Sequence, residues 1–306
     1  MDTKMVTVTI FALAGALVLP YVAGPYWTGL VTLMYIFGLL ALSIDLLLGH
    51  AGLFSLTHAS FFAVSAYTVA ILQVRYAVPT ALAAPAGVLA GTLLALIFGL
   101  AVRTRGVYFI LITIAFGYVV WGVAHRWSSF TGGDNGVTNV PFPAAGPLAI
   151  TSHTQYYYLV LVAAILCALG YRVLIHSPFG LGLRGIKASE TRMRSLGYRT
   201  TLHLYAAFVL SGALASFAGV LYVYYNKFVN PVAASFPNSV EAALMAIIGG
   251  SGTIVGAFIG SAVVLGLRNW VSSFFELHAA VMGLVFIATV LWAPQGLVGL
   301  ARRFLK

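Results

Sequence analysis

The chain has 306 residues, of which 61% are hydrophobic and only 7% are charged. A water-soluble domain carries about a quarter charged residues, so this composition excludes a soluble body of that size and predicts an integral membrane protein. The net charge of +10 does not indicate nucleic-acid binding, because the basic residues lie between apolar runs rather than on one polar segment. Cys167 is the only cysteine, which excludes a disulfide framework.

Apolar runs are long enough to cross a bilayer many times, since a helical span needs roughly 20 residues. Ten runs reach or approach that length, near 6–23, 29–48, 53–74, 81–102, 107–123, 156–175, 202–225, 237–249, 253–267 and 277–293. The first is interpreted as a retained helix rather than a signal peptide. The eighth and ninth are short, and are predicted either as spans or as a re-entrant pair of half helices. We therefore expect an all-α membrane protein of about ten transmembrane helices, some broken or re-entrant, forming a single domain over 1–306.

Basic residues orient these helices, because short loops rich in Lys and Arg stay on the cytoplasmic side. With the N-terminus inside, the predicted inner group has twelve members: Lys4, Arg103, Arg105, Arg172, Arg184, Lys187, Arg192, Arg194, Arg199, Arg302, Arg303 and Lys306. The predicted outer group has four: Arg75, Arg126, Lys227 and Arg268. This bias predicts an even number of crossings with both termini in the cytoplasm.

Two loops are long enough to form structures of their own. The outer loop, 124–155, is rich in Gly, Pro, Ser and Thr and is predicted to fold over the extracytoplasmic mouth. The inner loop, 176–201, is strongly charged and carries helix punctuation. Ser177 before Pro178 is typical of an N-cap, and Ser189 can cap a second short helix. This pattern predicts a structured docking element, with a solvated basic loop as the alternative.

Residues at both ends of that second short helix are also typical of helix ends. Glu190 follows the cap, where the helix dipole favours an acid, and Gly197 can stop the helix after Leu196.

Glycines break two of the apolar runs, at 49–55 and at 249–253. Irregular backbone at membrane depth is tolerated only where it is buried or lines a cavity. Small residues elsewhere, such as those from Ser211 to Gly219, indicate close helix packing. Two breaks in the two halves also hint weakly at an internal repeat.

Ionisable groups inside the apolar runs are few, so each is a functional candidate. Asp45 and Glu241 lie near the ends of their runs, where an interfacial or capping role is the alternative. The candidates for lining a transport path are Asp45, Gly49, His50, Ser55, His58, Gly249, Gly250 and Gly252.

Enzymatic chemistry is not indicated by any motif. The histidines show no metal-ligand spacing, so no metal site is predicted. No nucleophile with a base stands in a recognisable arrangement, so no catalytic residue is predicted. The phosphate-binding pattern G-x-x-x-x-G-K-[ST] is also missing, so any ATP hydrolysis would need a separate protein.

Several segments, in order, resemble one family. They are the stretch GLFSLTHASFF at 52–62 with Ser65-Ala66-Tyr67, RGVYF at 105–109, Trp127 with TGGDNG at 131–136, SPFG at 177–180 with Leu196-Gly197, FVLS at 208–211 with Ala218-Gly219, and GGSGT at 249–253 with Gly256 and Gly260. Together they are similar to the LivM-type permease subunit of branched-chain amino acid ABC importers, from about residue 30 to the end. The chain departs from the family at 187–190, where a run like R-E-N-E is usual, and at Ala257, where proline is common.

The resemblance implies a heteromeric importer in a bacterial-type inner membrane. Its other parts would be a homologous LivH-like permease, two ATPase subunits and an extracytoplasmic substrate-binding protein, with no nucleic acid. ATP and Mg²⁺ would belong to the ATPases, and this chain would bind no cofactor. The residues that couple to an ATPase would be Ser189, Glu190, Arg192, Arg194, Leu196 and Gly197. The extracytoplasmic mouth would include Thr131, Gly132, Gly133 and Asp134.

The resemblance does not decide which solute the importer transports. Branched-chain or related amino acids are expected, and urea, short amides or aromatic acids are the alternative, because the binding protein largely chooses the cargo. An ion-coupled secondary carrier is a more remote alternative, for which Asp45 would be the coupling group.

Overall fold

The chain folds into helices joined by short turns. The structure is a computed structural model that describes residues 15–145, 148–272, 283, 284, 287 and 296–304. Residues 15–22 are helical. The helices that follow are α1 (Gly24–Asp45), α2 (His58–Tyr76), α3 (Thr80–Phe98), α4 (Val107–Arg126), α5 (His153–His176), α6 (Pro178–Ala188), α7 (Glu190–Ser195), α8 (Thr200–Asn226), α9 (Phe236–Gly249), α10 (Ile254–Ser272) and α11 (Gly296–Phe304).

Other elements are short. A π-helical segment, Leu46–Ala51, continues α1, and a 3₁₀ segment, Gly99–Arg103, continues α3. The strands Ala144–Ala145 and Leu148–Ala149 form an antiparallel pair inside the outer loop.

Six helical segments of the described chain are long and apolar enough to cross a membrane. They are Gly24–Ala51, Thr80–Arg103, Val107–Arg126, His153–His176, Thr200–Asn226 and Ile254–Val271. Helix α2 has 19 residues but a more polar sequence, and α9 has only 14. At 1.5 Å per residue α9 is roughly 21 Å long, short of the roughly 30 Å hydrocarbon core. The chain is a helical, multi-pass membrane protein.

Two predicted boundaries are wrong. The first glycine break begins later than predicted, because the π-helical segment carries the helix through Gly49 to Ala51 and the non-helical stretch is 52–57. The ninth run is not a half helix, since α10 continues past 267 to Ser272 and reaches the length of a span. Most of the predicted tenth run, with Glu276 before it, and both chain ends lie outside the described residues.

Helices α1 and α8 form the centre of the bundle. In their most apolar windows 72% and 61% of residues are buried, against 22% for α4. Along α8 the small residues Ser211, Gly212, Ala215, Ser216 and Gly219 are all buried. They let α8 pack against α1, α2 and α3 at once, which confirms the packing predicted for them.

Helices α3, α4 and α5 form the periphery. Each exposes large aliphatic side chains on one side, such as Leu89 and Leu93 of α3 and Leu166 of α5. A soluble protein would bury these side chains, whereas in a bilayer they contact lipid.

The two ends of the bundle carry described members of the two predicted basic groups. At one end Arg75 donates to the Ser129 carbonyl at 2.8 Å, and the Lys227 carbonyl accepts from Val140 N at 3.0 Å. These bonds join the predicted outer residues to the outer loop. At the other end, two residues of the predicted inner group make contacts that involve the inner loop. Lys187 donates to the Gly49 carbonyl, and Arg105 donates to the Glu190 carboxylate. Each of these four basic residues therefore makes its contact on the side of the bundle predicted for its group.

Candidate coupling and translocation site

The inner loop folds into two consecutive helices, α6 and α7, which we call the charged hairpin (177–197). Ser177 Oγ accepts from Gly180 N, and Ser189 Oγ accepts from Arg192 N, each at 3.4 Å. Gly197, at φ +86°, ends the second helix in the left-handed conformation that favours glycine. The predicted caps and the predicted stop are therefore confirmed.

The two helices of the charged hairpin differ in burial. Helix α6 buries Leu183 and Ile186 against the helical bundle, whereas no residue of α7 is buried. Arg192 and Leu196, predicted as coupling residues, are both exposed. An ordered helix that leaves its outer face uncovered is available to a partner protein.

Glu190 fixes α7 to the bundle. Its Oε1 accepts from Arg105 Nη2 at 2.5 Å, from Arg194 Nη2 at 2.8 Å and from Thr200 Oγ1 at 3.0 Å. Arg105 lies in the turn between α3 and α4 and also donates to the Val102 carbonyl at 2.5 Å. One carboxylate thus joins α7, the turn before α4 and the first residue of α8.

The surroundings of Glu190 favour its charged form. Burial alone raises the pKa of this carboxyl, but the Thr200 hydroxyl, Arg105 and Arg194 together hold the pKa of Glu190 below its ordinary value. The carboxylate is therefore ionised at neutral pH.

The two glycine breaks meet each other in the structure. Asp45 Oδ1 accepts from Gly252 N at 2.6 Å, and Asp45 Oδ2 accepts from the Tyr171 hydroxyl at 2.9 Å. A Cβ added to Gly49 would lie 2.5 Å from Gly252 N, so only glycine permits this approach. We call Asp45, Gly49 and Gly252 the glycine junction.

A lysine connects the charged hairpin to the glycine junction. Lys187 Nζ, at the end of α6, donates to the Gly49 carbonyl at 2.7 Å. Besides the apolar packing of α6, polar contacts attach the charged hairpin to the glycine junction through Lys187 and to α8 through Glu190.

Other path candidates have packing roles. Gly249 lies against the backbone of Gly256 and Gly260, which brings α9 onto α10, and Gly250 lies against Gly296 at the start of α11. His50 is buried, with Nε2 3.9 Å from Asp45 Oδ2, which is too long for a hydrogen bond.

His58 lies in a buried polar cluster. Its Nε2 is 2.6 Å from Ser211 Oγ, which donates to the Ser43 carbonyl at 2.5 Å. Because Ser211 uses its proton there, His58 donates from Nε2. The hydroxyls of Ser55, Thr57 and Ser60 are buried nearby in sequence without a partner among the described residues. His50 and His58 thus have different neighbours, although the sequence allowed them to be close.

The predicted mouth residues are ordered by their own hydrogen bonds. Thr131 Oγ1 donates to the Ala124 carbonyl at 2.6 Å and accepts from Gly133 N at 3.3 Å. Asp134 Oδ1 lies 2.7 Å from His125 Nδ1. Gly132 and Gly133 both have positive φ, which glycine adopts without strain. A bridge between Val137 and Val229 attaches the loop to the segment after α8.

Sequence reasoning missed three partners in this site. Tyr171 bonds to Asp45 across 126 residues, and Thr200 bonds to Glu190. No pattern in the sequence indicates either contact. Arg105 has a signal, because it opens the RGVYF segment that carried part of the family resemblance. Within the described chain, no group of three His, Cys, Asp or Glu side chains could hold a metal ion.

A bundle of apolar helices with a capped, charged hairpin at one end fits a multi-pass membrane transport protein. The comparisons with known proteins identify its family. A model of the permease component of branched-chain amino acid transport systems matches residues 26–290. The chain belongs to this family, whose members are transporter permeases and not enzymes.

Curated relatives agree with that family. The chain is 27% identical to the high-affinity branched-chain amino acid transport permease LivM of Salmonella typhimurium, over 94% of this chain and 73% of the relative. Identity to LivM of Escherichia coli is also 27%, over 99% of this chain and 76% of the relative. A probable LivH of Methanocaldococcus jannaschii is 26% identical over 88% of this chain and 90% of the relative. No solved structure matches the chain.

Proposed function

We propose that this chain is one of two homologous permease subunits of an ATP-binding-cassette importer for branched-chain or related amino acids. The second subunit would be LivH-like. Two ATPase subunits would bind ATP and Mg²⁺, a soluble binding protein would deliver substrate to the outer face, and the assembly would lie in a bacterial-type inner membrane. This chain would bind no cofactor.

One observation carries the coupling part of the proposal. Helix α7 is capped at Ser189, exposed on its outer face and held to the bundle by Glu190. A solvated loop that only enforces topology needs no such bonds. An exposed helix with fixed inner contacts can transmit a displacement, because it moves as a rigid element.

The contacts give the displacement two routes. Movement of α7 by an ATPase would reach α8 through Glu190 and Thr200. It would reach the glycine junction through Lys187 and the Gly49 carbonyl. The glycine junction joins the end of α1 to the turn before α10, and α8 packs against α1, so both routes lead to the centre of the bundle.

Asp45 argues against the ion-coupled alternative. A coupling carboxylate must exchange its ligands during transport. Both oxygens of Asp45 already accept hydrogen bonds, from Gly252 N and from Tyr171. This supports a structural role for Asp45.

The cargo follows from the family rather than from an identified binding pocket. The buried hydroxyls of Ser55, Thr57 and Ser60, close to His58 in sequence, are neutral hydrogen-bonding groups of the kind that a compact zwitterion could use. Urea, short amides and aromatic acids remain the competing cargoes.

Reconstitution into liposomes tests the proposal. The chain alone is expected to move no leucine under a sodium or proton gradient. Uptake is expected only when the second permease, the ATPases, the binding protein and ATP are all present. Gradient-driven uptake by this chain alone would contradict the proposal.

A further inference from the structure

A second feature at the inner-loop end of the bundle is a cavity of about 550 Å³ between the end of α3 and the start of α8. Its walls include Leu100, Leu202 and Tyr205, and its edge carries Arg103, Arg194 and Arg199. Two candidate membrane spans end at this level, Thr80–Arg103 and Thr200–Asn226. The cavity therefore lies where hydrocarbon gives way to the aqueous surface.

The charge of the cavity is one-sided. The described residues that line it include three arginines and no Asp or Glu. Arg103 and Arg199 are exposed and make no ion pair within the described chain. Arg194 uses two of its five N–H groups, on Glu190 and on Thr200. Several N–H groups of these three arginines therefore remain to bind an anion.

The apolar half of the cavity restricts the kind of anion. Leu100 and Leu202 are 55% and 58% exposed, and the Tyr205 hydroxyl is turned away to the Leu96 carbonyl at 2.9 Å. A free phosphate gains nothing from these walls. A phospholipid would place its acyl chain against them and its phosphate among the arginines, which are suited to bidentate contacts.

We infer that this cavity binds an anionic phospholipid of the leaflet that faces the charged hairpin. The lipid phosphate would share Arg194 with Glu190. Lipid binding would then act directly on the contact that fixes α7. The inference concerns binding by this chain alone and does not depend on which solute is transported.

Lipid binding to the purified full chain in detergent tests the inference, with affinity measured by native mass spectrometry. Dioleoyl phosphatidylglycerol is expected to bind at least tenfold more tightly than dioleoyl phosphatidylcholine. The double substitution Arg103→Gln and Arg199→Gln is expected to weaken phosphatidylglycerol binding on the order of tenfold, because each arginine contributes electrostatic attraction. The double substitution Arg126→Gln and Arg172→Gln, which removes the same two charges at exposed positions outside the cavity, is the matched control and is expected to leave affinity unchanged.

Two further arms guard against misfolding and against other anions. Arg103→Lys with Arg199→Lys keeps the charge and is expected to retain most of the affinity. Soluble glycerol phosphate is expected not to compete, since it lacks the acyl chain. Equal binding of both lipids, an equal loss in the Arg126→Gln and Arg172→Gln control, or full competition by glycerol phosphate would overturn the inference. It would also be overturned if the Gln variant kept lipid binding and lost only ATPase copurification.

Discussion

Glu190 is the residue whose charge holds α7 in place. A carboxyl with a lowered folded-state pKa stabilises the fold above its unfolded pKa and loses that contribution as the pH falls through the folded value. The unfolded value is about 4.3. Protection of α7 amides from hydrogen exchange is therefore expected to be constant near neutral pH and to fall in acid below it.

Replacing the carboxylate isolates this effect. Glu190→Gln is expected to weaken α7 docking by about 1 kcal/mol, because charged hydrogen bonds exceed neutral ones but these partners are partly exposed. Amide exchange in α7 would quicken roughly fivefold at neutral pH, and its acid dependence would vanish. Thr191→Ala, at the exposed neighbouring position, is the control. An unchanged pH profile in Glu190→Gln would contradict the assignment.

Asp45 allows a second prediction at a single residue. Asp45→Leu removes the acceptor of Gly252 N and of Tyr171, and leaving buried donors unpaired costs about 2 kcal/mol. Asp45→Asn keeps an acceptor and is expected to lower the unfolding temperature in detergent much less. If Asn were as damaging as Leu, the negative charge of Asp45, and not only an acceptor at that position, would be required for stability.

At the scale of single residues, the sequence predicted helix caps and charged positions, but it could not predict hydrogen-bond partners that are distant along the chain. Ser177, Ser189 and Gly197 act within four residues of their own position, so the local sequence contains their role. The partners of Asp45 are 126 and 207 residues away. A single sequence does not show which residues come into contact when they are so far apart along the chain.

Among the elements, the glycine junction depends on the absence of a side chain. Gly49→Ala would place a Cβ 2.5 Å from Gly252 N and from Asp45 Oδ1, so α1 and the turn before α10 must separate. A loss of about 1–3 kcal/mol is expected, as for other overpacked sites. The measurement is the thermal unfolding temperature of the purified chain in detergent.

Gly170→Ala is the matched control within a helix. A Cβ at Gly170 in α5 meets nothing within 4 Å. This substitution is expected to be neutral or slightly stabilising, because alanine favours helix more than glycine does. Equal effects of the two substitutions would show that Gly49 matters only through helix propensity.

Helix positions were largely predictable because the apolar runs are long, but the ends were not. The predicted second run stopped at 48, before Gly49, because glycine is a common helix terminator. The π-helical segment nevertheless carries the helix to Ala51. Tertiary contacts with Gly252 and Lys187 stabilise the extra turn. Helix propensity alone therefore placed the break too early.

For the whole molecule, sidedness is the property most open to test. In a Cys167→Ala background, Asp134→Cys is expected to react with a membrane-impermeant maleimide in intact cells. Arg192→Cys is expected to react only after the cells are opened. Both positions are exposed in the structure, so reactivity reports the side of the membrane rather than burial. Labelling of Arg192→Cys in intact cells would reverse the orientation.

The multi-pass class was evident from composition, because 61% hydrophobic residues exceed what one soluble core can bury. Among the described residues six helical segments have the length and apolar character of a span, whereas about ten spans were predicted for the whole chain. Helix α2 is polar for a span because it carries buried serines and His58, and α9 is too short. Hydropathy alone cannot separate a buried functional helix from a lipid-facing one.

The π-helical segment at the end of α1 allows a change that an ordinary helix end would resist. A π turn holds one residue more than an α turn. If that surplus residue migrated one position along the chain, the next side chain would rotate by about 100° while the backbone remained hydrogen-bonded. Gly49 would then leave Gly252, and a neighbour with a bulky side chain, Leu48 or His50, would face it instead. The contact between the two halves could thus be broken by a local screw motion, without unfolding either helix.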